Sequence, residues 1–142
     1  MFKARLAWLP RPELELMQTK WTPTSHSRST IIDKSTMRDD LLCSRTRGYA
    51  RSVGEYIEGF TTLALPLFNR EGGLIFVIGI GGLEDRLDAQ ESRVVKTMAR
   101  MTSQTHRMLD GRPPVDYPHG QKIRNISLIS FWPGGHDLGP GA

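Results

Sequence analysis

The chain has 142 residues, 38% of them hydrophobic, with a formal net charge of +4 and a single cysteine. That length suits one core, the lone Cys43 excludes an intrachain disulfide, and no apolar run approaches the roughly 20 residues of a membrane helix. The N-terminus, MFKARLAWLPRPELE, lacks the apolar stretch and cleavage site of a secretory signal, so the default expectation is a cytoplasmic protein with no membrane partner.

In chain order, Phe2, Leu6 and Leu9 share one helical face until Pro10 breaks the run, and Pro12 suits the first turn of a second short helix carrying Leu14 and Met17. Trp21 to Ile32 reads as loop and short strand. Asp33 is positioned to cap a helix running to Arg47, with Met37 and Leu41 inward and Leu42 beside them. Cys43 on that helix reads as a small buried residue rather than a nucleophile. Gly48 can close the helix in the left-handed conformation, which costs glycine no Cβ clash.

The richest stretch is Arg47 to Gly82, RGYARSVGEYIEGFTTLALPLFNREGGLIFVIGIGG. Leu63, Leu65 and Leu67 alternate with Thr62, Ala64, Pro66 and Phe68 at the period of a strand. Asn69 to Gly73 supplies a turn, and Leu74 to Ile80 is β-branched and apolar on both faces, which predicts a central strand covered on both sides. If Asn69 pairs with Leu74, Thr62 falls opposite Gly81 and Ala64 opposite Gly79. Such a face carries almost no side-chain volume. Glycine inside a strand marks a close approach, which is either a ligand over a floor of Thr62, Ala64, Gly79 and Gly81 or a helix crossing close to the sheet.

A last helix from about Asp88 to Leu109 follows. Asp88 and Glu91 have the spacing of a capping box, and Leu87, Val94, Met98, Met101, Thr105 and Met108 recur as a core-facing stripe. Gly111 and Pro113-Pro114 end it.

The run quoted above, with LAWLPRPELE and MRDDLLCSRTRGYA before it and ESRVVKTMARMTSQTHRMLDGRPP after it, resembles the C-terminal effector-binding domain of the IclR-type bacterial transcription regulators over Phe2 to Pro114. The resemblance implies an α+β fold, a partial GAF-like effector-binding domain in which an antiparallel hairpin packs against helices, over residues 1–114; it stops there, and the glycine- and proline-rich residues 115–142 read as a tail, mostly loop or disordered. It implies sensing of a small organic acid to regulate transcription, no enzymatic activity and no cofactor. The family's effector contacts map onto Ser52, Phe60, Thr62, Gly79 and Gly81. Some members carry hydroxyl residues at the two glycine positions, where this sequence departs, leaving Ser52, Thr62 and backbone amides as donors. No helix-turn-helix or first half of the domain is recognisable before Met1, so the chain reads as truncated, and its partners would be the effector, a second copy or a parent regulator. The alternative is a structural or interaction fragment that binds no effector.

Little else carries chemistry. His26, His106, His119 and His136 lack metal-ligand spacing. Gly79-Ile80-Gly81-Gly82 lacks the third glycine of a dinucleotide fingerprint and the lysine of a P-loop. Ser44 and Ser52 sit in no nucleophile elbow. Basic residues such as Arg5, Lys20, Arg38, Arg45, Arg51, Arg70, Arg93 and Arg107 are dispersed among acidic ones, a solvated surface rather than a DNA-reading element, so the chain alone should recognise no specific DNA sequence. Past Pro114, Ile126 to Trp132 has the pattern of a short edge strand, and Asn125-Ile126-Ser127 matches a glycosylation acceptor by chance.

Overall fold

Proline and glycine punctuate the N-terminal half where the sequence places them. The computed structural model describes residues 2–119; the expectations for Asn125, for the strand at Ile126 to Trp132 and for His136 lie outside the described residues. Helix α1 (Phe2–Ala7) stops short of Pro10, and α2 (Arg11–Lys20) begins behind it with a proline in its first turn. No residue of α2 is fully buried, and Leu14 is its contact with the core. The short strand expected between Trp21 and Ile32 is absent. There the Thr30 hydroxyl accepts the amides of His26 (3.0 Å) and Ser27 (2.9 Å), satisfying locally what a ladder would otherwise satisfy.

Helix α3 (Lys34–Arg47) has both predicted ends. The Asp33 carboxylate accepts the Thr36 amide at 2.8 Å; hydrogen bonds from the Ser35 hydroxyl, then from the Thr36 amide and hydroxyl, hold its pKa down at about 2. At the other end Gly48 takes φ 83° and donates its amide to Ser44. Met37 and Leu41 are buried, whereas Leu42 and Cys43 are exposed, against expectation, because they follow Leu41 round the helix onto its outer face.

Strands β1 (Ala50–Val53), β2 (Phe60–Phe68) and β3 (Leu74–Leu83) form one antiparallel sheet in the order β1-β2-β3. Thr62 lies opposite Gly81 and Ala64 opposite Gly79, the predicted register; it breaks only beside the turn, where a bulge sets Phe68 against Leu74. The assignment of β3 as the covered central strand is corrected. Strand β2 is central, and β3 is an edge with Phe76, Ile80 and Leu83 exposed. Pro66 is tolerated mid-sheet because the amide it lacks would point towards β1, which begins only at Ala50, opposite Ala64.

Helices α4 (Glu84–Asp88) and α5 (Glu91–Met108) replace the single predicted helix. Gln90 precedes α5 without a side-chain cap, so the capping-box reading of Asp88 and Glu91 fails; both carboxylates bind Arg51 instead. The buried stripe of α5 is Val95, Met98, Ala99, Thr102 and His106, while Met101 and Met108 face solvent. Past α5 the left-handed residue is Asp110 (φ 52°), not Gly111. Gly111 serves a close approach: a Cβ there would stand 2.4 Å from the Phe68 carbonyl oxygen.

Three layers result. On one face of the sheet, Ala4, Leu6, Ala7 and Trp8 of the α1 region pack with Met37 and Leu41 of α3 onto Ala50, Ala64 and Phe68. On the other, Leu87, Val95, Met98 and Ala99 cover Leu63 and Leu65. This is the α+β arrangement of a hairpin packed against helices. Tyr117, three residues past Pro114, is buried against Trp8 and Phe68.

Candidate functional site

The strand period puts Ser52, Thr62 and Gly81 in one row across the sheet, since Thr62 is opposite Ser52 on one side and Gly81 on the other. Their face is the one that packs towards α1 and α3. A cavity of about 610 Å³ opens there, with Ser52 and Thr62 in its lining together with Lys3, Trp21, His26, Glu55 and Tyr56. Among the described residues neither the Ser52 nor the Thr62 hydroxyl has a hydrogen-bond partner, so both are available to a ligand.

Phe60, Gly79 and Gly81 lie on the same face without lining the cavity. Phe60 sits diagonally from Gly81, and a Cβ on Gly81 would stand 2.6 Å from the Phe60 ring. The missing side chain therefore makes room for a neighbouring aromatic ring, a third use of strand glycine beside a ligand and a helix crossing.

Sequence reasoning missed the charged wall. Lys3 is buried, donates to the Arg51 carbonyl at 2.8 Å, and forms ion pairs with Asp40 of α3 (2.9 Å) and with Glu55 of the β1-β2 connection. One cation between two carboxylates leaves the cluster with one excess negative charge. The available signal was position: Lys3 stands three and four residues before Leu6 and Ala7, inside the apolar stripe of α1. The loop over the cavity is tied to the same connection, because Ser27 donates to the Gly54 carbonyl (2.5 Å) and Thr30 to that of Glu55 (2.6 Å). The rings of His26 and Tyr56 meet with centroids 4.5 Å apart.

Behind the sheet the Arg51 side chain donates to Glu91 (2.9 Å) and Asp88 (2.6 Å), and Tyr49 donates to Glu91 (2.6 Å). Burial, then that hydrogen bond, push the Tyr49 phenol above its ordinary range. Among the described residues no group of three or more His, Cys, Asp or Glu could hold a metal ion, and no helix is long and apolar enough to cross a membrane.

Residues 1–107 match the family model described as the bacterial transcriptional regulator IclR C-terminal domain. The chain belongs to this family. Its curated relatives include the HTH-type transcriptional regulator XynR of Escherichia coli, 27% identical over 89 residues, an alignment covering 63% of this chain and 35% of that protein. This IclR-type chain thus spans about a third of that relative's length. Among solved structures, Thermotoga maritima IclR superposes with a TM-score of 0.63 at 24% identity, over 72% of this chain and 43% of that one. The inducer-binding domain of PobR from Acinetobacter, a double mutant in complex with 3-hydroxybenzoic acid, gives 0.66 at 21% identity, over 72% and 60%. At these identities the structures speak to fold alone. The relatives are transcriptional regulators, not enzymes, and C-terminal domains of the family bind small-molecule effectors and oligomerise.

Proposed function

We propose that this domain senses a small organic acid in the cavity over Ser52 and Thr62, and that occupancy of the cavity regulates transcription by the protein to which the domain belongs. The observation that carries the reading is the pair of unengaged hydroxyls on adjacent strands, at the floor of a cavity whose wall holds a buried lysine. Pockets of this kind orient a ligand with a few polar groups set in apolar surroundings. Trp21 and Tyr56 supply apolar contact.

An acid entering this cavity meets a lysine already neutralised. The effector carboxylate displaces Glu55, keeping Lys3 paired with Asp40 on one side and the ligand on the other. Glu55, 19% exposed at its side chain, moves to water, so the buried charge is unchanged. The exchange releases the β1-β2 connection, to which the loop bearing Ser27 and Thr30 is bonded. A structural change thereby follows from a differential contact, as ligand-driven switching requires.

A calorimetric panel of small carboxylic acids and their amides tests this. Acids should bind and amides should not; Ser52→Ala and Thr62→Val should each weaken binding by about tenfold, one lost hydrogen bond. Glu55→Gln should tighten acids alone by removing the competing carboxylate. Failure of every acid to bind, or tighter binding of the amides, sinks the reading.

A further inference from the structure

An ammonium group has three donors, and those of Lys3 are all engaged, by the Arg51 carbonyl (2.8 Å), by Asp40 (2.9 Å) and by Oε1 of Glu55. Among the described residues Lys3 is also the only lysine or arginine lining the cavity. A ligand carboxylate therefore reaches a cation only by evicting another carboxylate. Glu55 is the one exposed to eviction, because it lines the cavity and Asp40 does not. For a plain acid the evicted Glu55 has only water to turn to. Its side chain is 19% exposed where it stands, and its main chain is tied down, the Glu55 carbonyl accepting the Thr30 hydroxyl at 2.6 Å and the Gly54 carbonyl that of Ser27 at 2.5 Å. Full hydration of Glu55 strains these bonds, so the exchange has a cost that a second charged group on the ligand would remove.

We propose that the acid sensed in this cavity is an α-amino acid with an apolar side chain, an assignment that rests on the acid reading above and adds an ammonium to it. The ligand carboxylate takes the place of Glu55 on Lys3, with the Ser52 and Thr62 hydroxyls as further donors. The ligand ammonium pairs with Glu55, whose Oε2 has no partner among the described residues. Charges then alternate from Asp40 through Lys3, the ligand carboxylate and the ligand ammonium to Glu55. The cluster already holds one excess negative charge. A plain acid keeps that balance only by sending Glu55 to water, whereas a zwitterion keeps it with Glu55 in place and every charge paired. Lys3 and Glu55 touch before binding, so the two ligand charges that replace their contact must be neighbours in the molecule, as they are in an α-amino acid. The side chain is left to the surfaces of Trp21, Ile31 and Tyr56.

Calorimetry on the unaltered chain with matched triplets provides the test: alanine, propanoate and ethylamine; leucine, isocaproate and isoamylamine; phenylalanine, phenylpropanoate and phenethylamine. In at least one triplet the amino acid should bind about tenfold or more tighter than the acid lacking the amine, the gain from one charge-assisted hydrogen bond, and the amine should bind weakest. Glu55→Gln, with urea unfolding as a check on its fold, should move the two acids of that triplet in opposite directions, weakening the amino acid and tightening the plain acid. Plain acids that bind as tightly as their amino acids, or a Glu55→Gln that shifts both the same way or neither, overturn the amino-acid assignment and leave the acid reading standing. Amines that bind as tightly as the amino acids, or no binding by any acid, overturn both.

Discussion

His106 provides a direct test of how the sheet is joined to α5. Its ring is 1% exposed and lies against Phe68, and Nε2 accepts the Phe68 amide at 2.9 Å. An accepting Nε2 leaves the proton of the neutral ring on Nδ1. Protonating Nε2 removes the acceptor and puts a charge in the core, and burial accordingly lowers the His106 pKa from the ordinary 6.5. The sign follows by linkage. With the folded pKa below the unfolded value, the unfolded chain takes up a proton first, so the contribution is complete above about pH 6.5 and is lost as pH falls towards the folded pKa. The steepest slope that one such proton can give is about 1.4 kcal/mol per pH unit. His106→Gln keeps an acceptor without a titration and should flatten the stability curve between about pH 7.5 and 5.5. His106→Leu strands a buried amide, which costs about 1–3 kcal/mol at every pH. Urea unfolding of the three proteins reads both effects. An equal pH dependence in the parent and His106→Gln would refute the reasoning.

Lys3→Met should destabilise the fold by about 3 kcal/mol in urea titrations, because it leaves Asp40 and Glu55 beside each other without a cation; partial water access to both carboxylates keeps the loss at the low end for a broken buried pair. Gly111→Ala forces a methyl group onto the Phe68 carbonyl and should cost about 1–3 kcal/mol, read as a fall in Tm; an unchanged Tm would mean that the approach is looser than 2.4 Å. Tyr117→Phe should lose about 1 kcal/mol with its hydrogen bond to the Gly48 carbonyl at 3.2 Å, and no loss would detach Tyr117 from the core. In fluorescence anisotropy the chain should bind duplexes only at low salt and without preference for sequence, since phosphate attraction falls with salt; a hundredfold preference for one operator would refute this.

The hairpin register and both ends of α3 were legible because each depends on local chemistry: alternation, turn residues, a capping carboxylate and a left-handed glycine. What failed was whatever needed the neighbours. The apolar content of Leu74 to Ile80 describes what the strand can bury, not how many strands flank it, so an edge was read as a centre. The stripe of α5 was phased on its methionines, yet two of its buried seats belong to polar side chains: Thr102, which donates to the Ala99 carbonyl, and His106, whose Nε2 accepts the Phe68 amide. Lys3 drew no reading although it sits in an apolar stripe, because its partners Asp40 and Glu55 lie 37 and 52 residues away. Of the five candidate contacts, Ser52 and Thr62 line the cavity, whereas Phe60, Gly79 and Gly81 share that face of the sheet without lining it.

The turn end of the hairpin is fastened at several points to the chain leaving α5. Besides the His106 bond, the Asn69 carbonyl accepts the amides of Gly72 (3.1 Å) and Arg112 (2.8 Å), and Gly111 donates to the His106 carbonyl at 2.6 Å. Residues 60 to 112 therefore close on themselves without help from α1, α2 or α3, through contacts fewer than about fifty residues apart, and such loops are entropically inexpensive to form. This gives the domain an internal order of events. The hairpin with α5 is expected to form the first cooperative unit, the N-terminal helices adding to a sheet already made. Amide exchange should show it directly: β2 and the last turns of α5 should be the slowest to exchange and should respond to denaturant together, while α1 and the loop over the cavity open at lower free energy. On the function proposed above, a ligand held by Lys3 would act on the weaker half of the molecule, where modest binding energy would suffice to change what is folded.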